Sequence, residues 1–469
     1  MHVVPGQPGV VDLSELRAGL RGALLESEED RGARSGDFGR LVVRHPLAVV
    51  RPADAADVAS TLRFAARRGL KVATRGEAHT QSGQALVERG IVLDLTSLNR
   101  VLDLDERACS VTCEAGVLWR DLVARLAPHS LVPPVLTNNL GVTVGGTISV
   151  AGIGVASFRH GTQADHALEL EVVTGAGDIV TCSADSNRPL FDAVRAGLGQ
   201  CGVITRARLR LRPCRAGART FFLLYDRLES FLTDAATLLG DERFDYLESF
   251  AVPCTVGFRK VGGAPQPFAE WLFPFHLTVE TDPGAAPEPG RLLSGLSFHR
   301  HVHSEDRTLL EFASRMEPLF ALWKQSGYWG AAHPWMETIL PWGAAGAFLG
   351  KVLAGLPPTI VGGGHVLLWP SSGATSSVPL FRVPKAERLL GFGILPGYPP
   401  HVLPEAVGRL NALSDASIAA GASRYLSGLI QFDSARWRAH YGEMWPRFVE
   451  WKSEFDPGRV LNPGFIPLS

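Results

Sequence analysis

The chain of 469 residues is short of cysteine, methionine and net charge, and each scarcity excludes something. Its six cysteines, at 109, 113, 182, 201, 214 and 254, form no CxxC pair, so neither a zinc ribbon nor a disulfide framework is indicated. They are read as small buried hydrophobes, with Cys109 and Cys113 on one face of an alternating strand. A formal net charge of −1 offers no basic face for nucleic acid or an anionic membrane. No apolar run reaches spanning length, and the first twenty residues lack a charged region leading into an apolar one. The expectation is therefore a protein without signal peptide or membrane partner, in the cytoplasm. There is no HExxH and no GxSxG nucleophile elbow. The alternating His299, His301 and His303 are read as a solvated strand, and no metal is expected.

What is present is an ordinary globular balance, 46% hydrophobic and 20% charged, on a chain too long for one core. Over the first 130 residues strand and helix patterns alternate. A helix is expected over 14–26. Another should run over 54–68, started by Pro-Ala-Asp and stopped by Gly69. Residues 168–182 form a hairpin pattern turning at Gly175-Ala176-Gly177. After Pro213 the texture changes to Pro, Gly and aromatics, with strands such as "ARTFFLLYD" and "GHVLLWP" and a helix expected over 305–325. The tail reads as one amphipathic helix and a loop ending in Asn-Pro-Gly.

Two segments are rich in glycine and in hydroxyl or amide side chains, the first with little apolar material and the second with almost no formal charge: "RGEAHTQSGQA" (75–85) and "VTVGGTISVAGIG" (142–154). Glycine costs roughly 0.5–1 kcal/mol in a regular element, so a cluster needs a reason. Tight turns are one; a ligand lying against bare backbone amides is the other. Neither segment ends as a Walker loop does, and neither is a Rossmann fingerprint. His79 alone is open to two readings, a satisfied surface histidine or a nucleophile or proton-transfer group.

The order of these segments, with "LFDAVRAGLGQCGVITRARLRLRP" (190–213), "FDYLESF" (244–250), "HPWMETILP" (333–341), "ASRYLSG" (422–428) and "FDPGRVLNPG" (455–464), resembles the vanillyl-alcohol-oxidase (p-cresol methylhydroxylase) flavoproteins, and within them the cytokinin dehydrogenases. The resemblance implies an α+β protein. A two-subdomain FAD-binding domain would span 1–214, a substrate domain on an antiparallel sheet flanked by helices 215–425, and a returning C-terminal segment 426–469. It implies a covalent bond between His79 and FAD. Gly76, Ala78, Thr80 and Gln84 would surround the cofactor, with Thr143, Ser149 and Ile153 from the second segment, Ile204 on the adenine side, and Tyr425 and Asn462 closing over it. No cysteine offers a second link.

The resemblance also shows departures. The aspartate that the family places before "TVGG" is Asn138 here, and an amide is no base. The family's second-domain glutamate falls at Thr278, with Glu280 a displaced alternative. Phe465 replaces a glutamine. Asn138, Glu248 and Glu280 are the expected catalytic positions, with Asn139, Trp335, Glu337 and Trp369 also facing the substrate. The implied reaction is hydride removal from a C–H beside an amine, alcohol, allylic or benzylic group of a small molecule. O₂ or another acceptor would take the electrons. The alternatives are a natural-product tailoring oxidase and a flavin-binding protein with a disabled centre.

Overall fold

The computed structural model describes residues 11–282, 284–285 and 287–468; residues 1–10, on which the signal-peptide expectation rests, lie outside them. The fold is α+β in two domains. The first half carries two sheets. One has four strands in the order β1 (Ala23–Leu25), β2 (Ala48–Arg51), β4 (Ile91–Asp94), β3 (Val72–Arg75), with β2, β4 and β3 parallel. The second is antiparallel, in the order β5 (Val101–Asp105), β6 (Ser110–Glu114), β10 (Gly202–Arg210), β8 (Ala167–Thr174), β9 (Ile179–Ser183). A short ribbon of β7 (Leu131–Val132) and β11 (Arg212–Pro213) leads into the second half.

There, eight antiparallel strands run β15 (Arg300–Thr308), β12 (Gly217–Tyr225), β14 (Ala264–Thr281), β13 (Tyr246–Val261), β17 (His365–Ser372), β18 (Arg388–Leu395), β16 (Met336–Pro341), β19 (Ser423–Arg424). Helices Leu228–Leu238, Trp342–Gly355 and Leu403–Ala419 cover one face around a core that includes Phe231, Phe275, Leu349 and Phe392.

The helix Ala55–Arg68 follows its local signals. Asp54 accepts the amides of Ala56 and Asp57, Gly69 closes the end at φ +65°, and Val58, Leu62 and Ala65 form the buried stripe. Elsewhere tertiary contacts override the pattern. The helix expected over 14–26 stops at Gly19, and the chain turns into β1 against β2. Gly22 forces this: a Cβ there would lie 2.2 Å from the Arg51 carbonyl, and the Arg21 and Gly22 amides bond the buried Asp57 carboxylate.

The helix expected over 305–325 begins only at Leu309, because β15 pairs with β12 through residue 308 and a Thr308–Glu311 capping box sets the start. A second helix, Glu317–Gln325, follows. Cys113 is buried on β6, but Cys109 sits in the preceding turn at φ +45° and not on the strand. The tail is two helices, Ser434–Tyr441 and Trp445–Phe455, broken at Gly442.

That tail packs into the core of the antiparallel sheet of the first half through Trp437, Tyr441 and Phe448, and Leu461 bridges beside Val72. Buried Lys452 donates to Asp456 and to the carbonyls of Gln200 and Leu461. Asn462, at φ +41°, accepts the Thr74 amide at 2.9 Å and donates to the Leu198 and Gly199 carbonyls. One side chain thus fastens β3, the 198–200 loop and the C-terminus. Asn462→Ala strands these groups and should cost about 2–3 kcal/mol, read as a lowered urea midpoint with unchanged slope; an unchanged midpoint would refute the fastening role.

Candidate functional site

A cavity runs along the seam between the halves. Thr74–Thr80, Gln84, residues 142–155 and Leu198–Ile204 contribute from the first half. Glu248, Trp323, Trp329, Trp335, Glu337, His365 and Trp369 contribute from the second. Gly76, Ala78, His79, Thr80, Gln84, Thr143, Ser149, Ile153, Ile204, Tyr425 and Asn462 all line it.

The first-half wall is built of main chain. A Cβ on Gly76 would lie 2.3 Å from Thr143 Oγ1, and one on Gly145 would lie 2.7 Å from the Ala115 methyl. The 75–85 segment is held from behind. Phe38 and Gly39 donate to the Ala78 and Thr80 carbonyls, and buried Asp37 accepts the Thr80 hydroxyl and the Gly83 amide, each bond 2.9 Å. Burial pushes the Asp37 carboxyl upward against these bonds. The carbonyls are turned toward residues 38–39, and Ala78 takes φ +50°. Among the described residues, the amides of residues 77–81 donate to no protein acceptor. A row of free donors beside glycine-lined backbone suits the phosphates and polar ring edge of a dinucleotide, so the residues fit FAD.

His79 stands in the middle of this row. Its ring meets Phe38 edge-on at 4.0 Å between centroids and Trp335 at 5.5 Å. Burial lowers its pKa to about 4, with His333 adding to the shift, so the imidazole is neutral at pH 7. Thr143 caps the following helix by accepting the Gly146 amide, and the Ser149 hydroxyl is tied to the Gly145 carbonyl. The Tyr425 phenol reaches the Ala151 carbonyl at 3.4 Å.

The expected substrate-facing positions divide. Asn138 and Glu248 are together on the cavity wall: Asn138 Nδ2 donates to Glu248 Oε1 at 3.0 Å. Arg315 binds both, donating to Asn138 Oδ1 at 2.7 Å and to Glu248 Oε1 and Oε2 at 2.8 and 3.0 Å. Burial alone would raise the Glu248 pKa, but Arg315 and then His276 outweigh it and hold the carboxylate ionised, well below its usual range. Sequence reasoning missed Arg315, which falls inside the helix expected over 305–325 but sits in the break between Leu309–Ala313 and Glu317–Gln325.

Asn139, Trp335, Glu337 and Trp369 also line the cavity, whereas Glu280 and Thr278 do not. Glu280 is bound by Arg212, by the Tyr246 hydroxyl at 2.7 Å and by the Arg215 amide at 3.0 Å. It lies four residues along β14 from His276, the residue opposite Glu248. That is roughly 13 Å of strand, the same face but two pleats too far. Thr278 is bonded to Thr220. Among the described residues no group of three or more His, Cys, Asp or Glu side chains converges to hold a metal, and no helix is long and apolar enough to cross a membrane.

A family model described as FAD binding domain matches residues 46–183, and one described as cytokinin dehydrogenase 1, FAD and cytokinin binding, matches 284–466. An uncharacterized oxidoreductase, ORF5 in the fasciation locus of Rhodococcoides fascians, is 31% identical across 92% of this chain and 95% of its own length. Cytokinin dehydrogenase 6 of Oryza sativa subsp. japonica is 32% identical across 94% and 90%, and cytokinin dehydrogenase 7 of the same plant 32% across 92% and 88%. The chain belongs to the cytokinin dehydrogenase family. It is an FAD-dependent oxidoreductase.

Within this cytokinin dehydrogenase-like site, Asn138 and Glu337 make opposite electrostatic statements, and each is testable. Asn138→Asp places a second carboxylate beside Glu248. Its pKa should rise, so stability falls by about 1–3 kcal/mol at neutral pH and recovers as acid protonates the pair. Denaturation midpoints across pH check the sign. Burial raises Glu337 from 4.5 to about 7, opposed by the Ser427 hydroxyl and Arg424. A raised acid pKa gives stability that is complete below about 4.5 and lost as pH climbs through about 7. Glu337→Gln should therefore remove a decline of about 3 kcal/mol across that window; identical pH profiles in the two proteins would contradict it.

Proposed function

We propose that FAD is joined covalently to a ring nitrogen of His79, and that the cavity takes a small planar substrate whose reacting C–H adjoins an amine, an alcohol or an allylic or benzylic group. The observation that carries the reading is the neutral, cavity-facing imidazole in the middle of a row of free backbone amides. An unprotonated ring nitrogen has the lone pair that a covalent bond requires, and no protein group competes for it among the described residues. Gly76, Ala78, Thr80, Gln84, Thr143, Ser149, Ile153, Ile204, Tyr425 and Asn462 would hold the cofactor around it.

Bound FAD supplies the acceptor for the two electrons of a hydride, which O₂ or another oxidant later removes. The chain's own part is to place the substrate and exclude water. Trp329, Trp335 and Trp369 provide flat apolar walls. Asn138 is held by Arg315 and Glu248, so it offers a fixed amide where the family resemblance implies an aspartate. It positions a substrate heteroatom but accepts no proton. The relatives' names point to cytokinins. This chain keeps the reaction type, while the amide at 138 favours a substrate that needs no base at that place, as a tailoring oxidation would.

The purified protein should be yellow and keep its colour through acid precipitation, whereas His79→Ala should release all flavin. Flavin lost from the wild type in acid would overturn the tether. Anaerobic bleaching with a panel of isoprenoid adenines, other amines and alcohols then identifies the substrate class. No bleaching by any member would favour a disabled flavin carrier.

A further inference from the structure

Of the two carboxyls that the second half contributes to the cavity, Glu248 and Glu337, only Glu337 has no ion pair among the described residues. Glu337 sits on β16 opposite Gly393 of β18, and its side chain is turned into the cavity. The glycines of β18 make this possible. A Cβ on Gly393 would lie 3.3 Å from Glu337 Cγ, and one on Gly391 would fall inside the Trp369 ring, 1.6 Å from Cε2. Two glycines at i and i+2 clear a trough on the cavity face, while Phe392 and Ile394 fill the core on the other face. The trough holds the carboxyl of Glu337 against the indole of Trp369, with Trp335 two residues away on the same side of the strand.

The carboxyl is partnered on one oxygen only. The Ser427 hydroxyl donates to Oε2, and among the described residues no protein group bonds Oε1. Charged and titratable neighbours are few. From β19, Arg424 faces it, but its guanidinium is taken by the Glu337 backbone carbonyl, Ser414 Oγ and the Leu429 carbonyl. From the segment after β19, Tyr425 is a neutral phenol, its pKa pushed up by burial and by Glu337 itself. The facing residues of β17 and β18, Trp369 and Gly393, are uncharged, as is Gly428 above Oε2. Glu248, the other carboxylate on the second-half wall, is saturated by Arg315, Asn138 and His276.

We propose that Glu337 is the specificity-determining residue of this site, accepting through Oε1 an N–H of a planar nitrogen-bearing substrate held against Trp335 and Trp369. This deepens the oxidoreductase reading above and rests on it. An N–H donor needs the carboxylate. Because burial holds the group near pH 7 in the free protein, binding below that pH displaces the carboxyl proton into solvent. Affinity therefore rises with pH and levels off once Glu337 is ionised.

The test titrates the flavin-loaded protein with 6-(benzylamino)purine, and with its analogue methylated at every N–H, between about pH 6 and about pH 8.5. For a group titrating near pH 7, the amine should bind about tenfold more weakly at the acid end. Calorimetry in buffers of different ionisation enthalpy should show proton release, and the methylated analogue should show neither effect. Glu337→Gln should bind with no pH dependence and no proton release. Ser427→Ala, which removes the hydroxyl but keeps the carboxyl, should move the midpoint upward. A pH-independent wild type, an unchanged profile in Glu337→Gln, or no binding of the amine overturns the proposal. Acid-stable flavin in the same samples keeps that failure separate from failure of the His79 reading.

Discussion

The structure depends on one steric constraint: the first-half wall of the cavity is main chain, with almost no room for Cβ atoms. Gly76 lies on the Thr143 side chain, Gly145 on Ala115, and Gly199 on Asn462 Nδ2, where a Cβ would stand 2.2 Å away. A wall of this kind exposes amides to the cavity, and it cannot stabilise itself, because glycine buries no side chain. Support comes from behind and from far along the chain. Asp37, Phe38 and Gly39 hold the 75–85 segment; Asn462 and Lys452 hold β3 and the 198–200 loop. The C-terminal helices return to the first half because the bare wall needs a packed backing.

The opposite wall is built by the inverse device. Strand β18 gives up side chains at 391 and 393 so that Trp369 from β17 and Glu337 from β16 can occupy the space above it. Backbone is laid bare on the first-half wall and covered by large side chains on the second-half wall. This division suits the reading proposed above, a polar dinucleotide on one side and a planar organic molecule on the other.

Much of this was legible in the sequence, and the limit has a physical origin. The helix at 55–68 and the hairpin at 175–177 depend on local signals, namely caps and turns, and fold as those signals say, whereas the glycine-rich 142–154 segment holds a helix, Val144–Val150, that its composition did not announce. His79 stood out because nothing apolar surrounds it in sequence. Contacts set by strand register were not legible. Glu248 and Glu280 both read as acids of the second half, yet only pairing β13 with β14 shows that one faces Asn138 and the other Arg212. Arg315 gave no signal, because its role arises where a helix end meets a loop 177 residues earlier. The Gly391-x-Gly393 pattern is visible in the sequence, but its meaning needs the neighbours on both sides.

The amide at position 138 is best understood through the charge already around it. Arg315 contributes one positive charge and Glu248 one negative, at 2.8 Å, in a region shielded from water. A neutral amide completes this pair at no electrostatic cost, donating to the carboxylate and accepting from the guanidinium. A carboxylate there would leave the cluster with a net negative charge, raising its own pKa or expelling the pair. The site therefore cannot place an ionisable base at 138 while it keeps Glu248 in the same contact. A carboxyl meant to change protonation with a ligand must sit where no cation saturates it, and Glu337, with one hydroxyl for a partner and two tryptophans for neighbours, meets that condition.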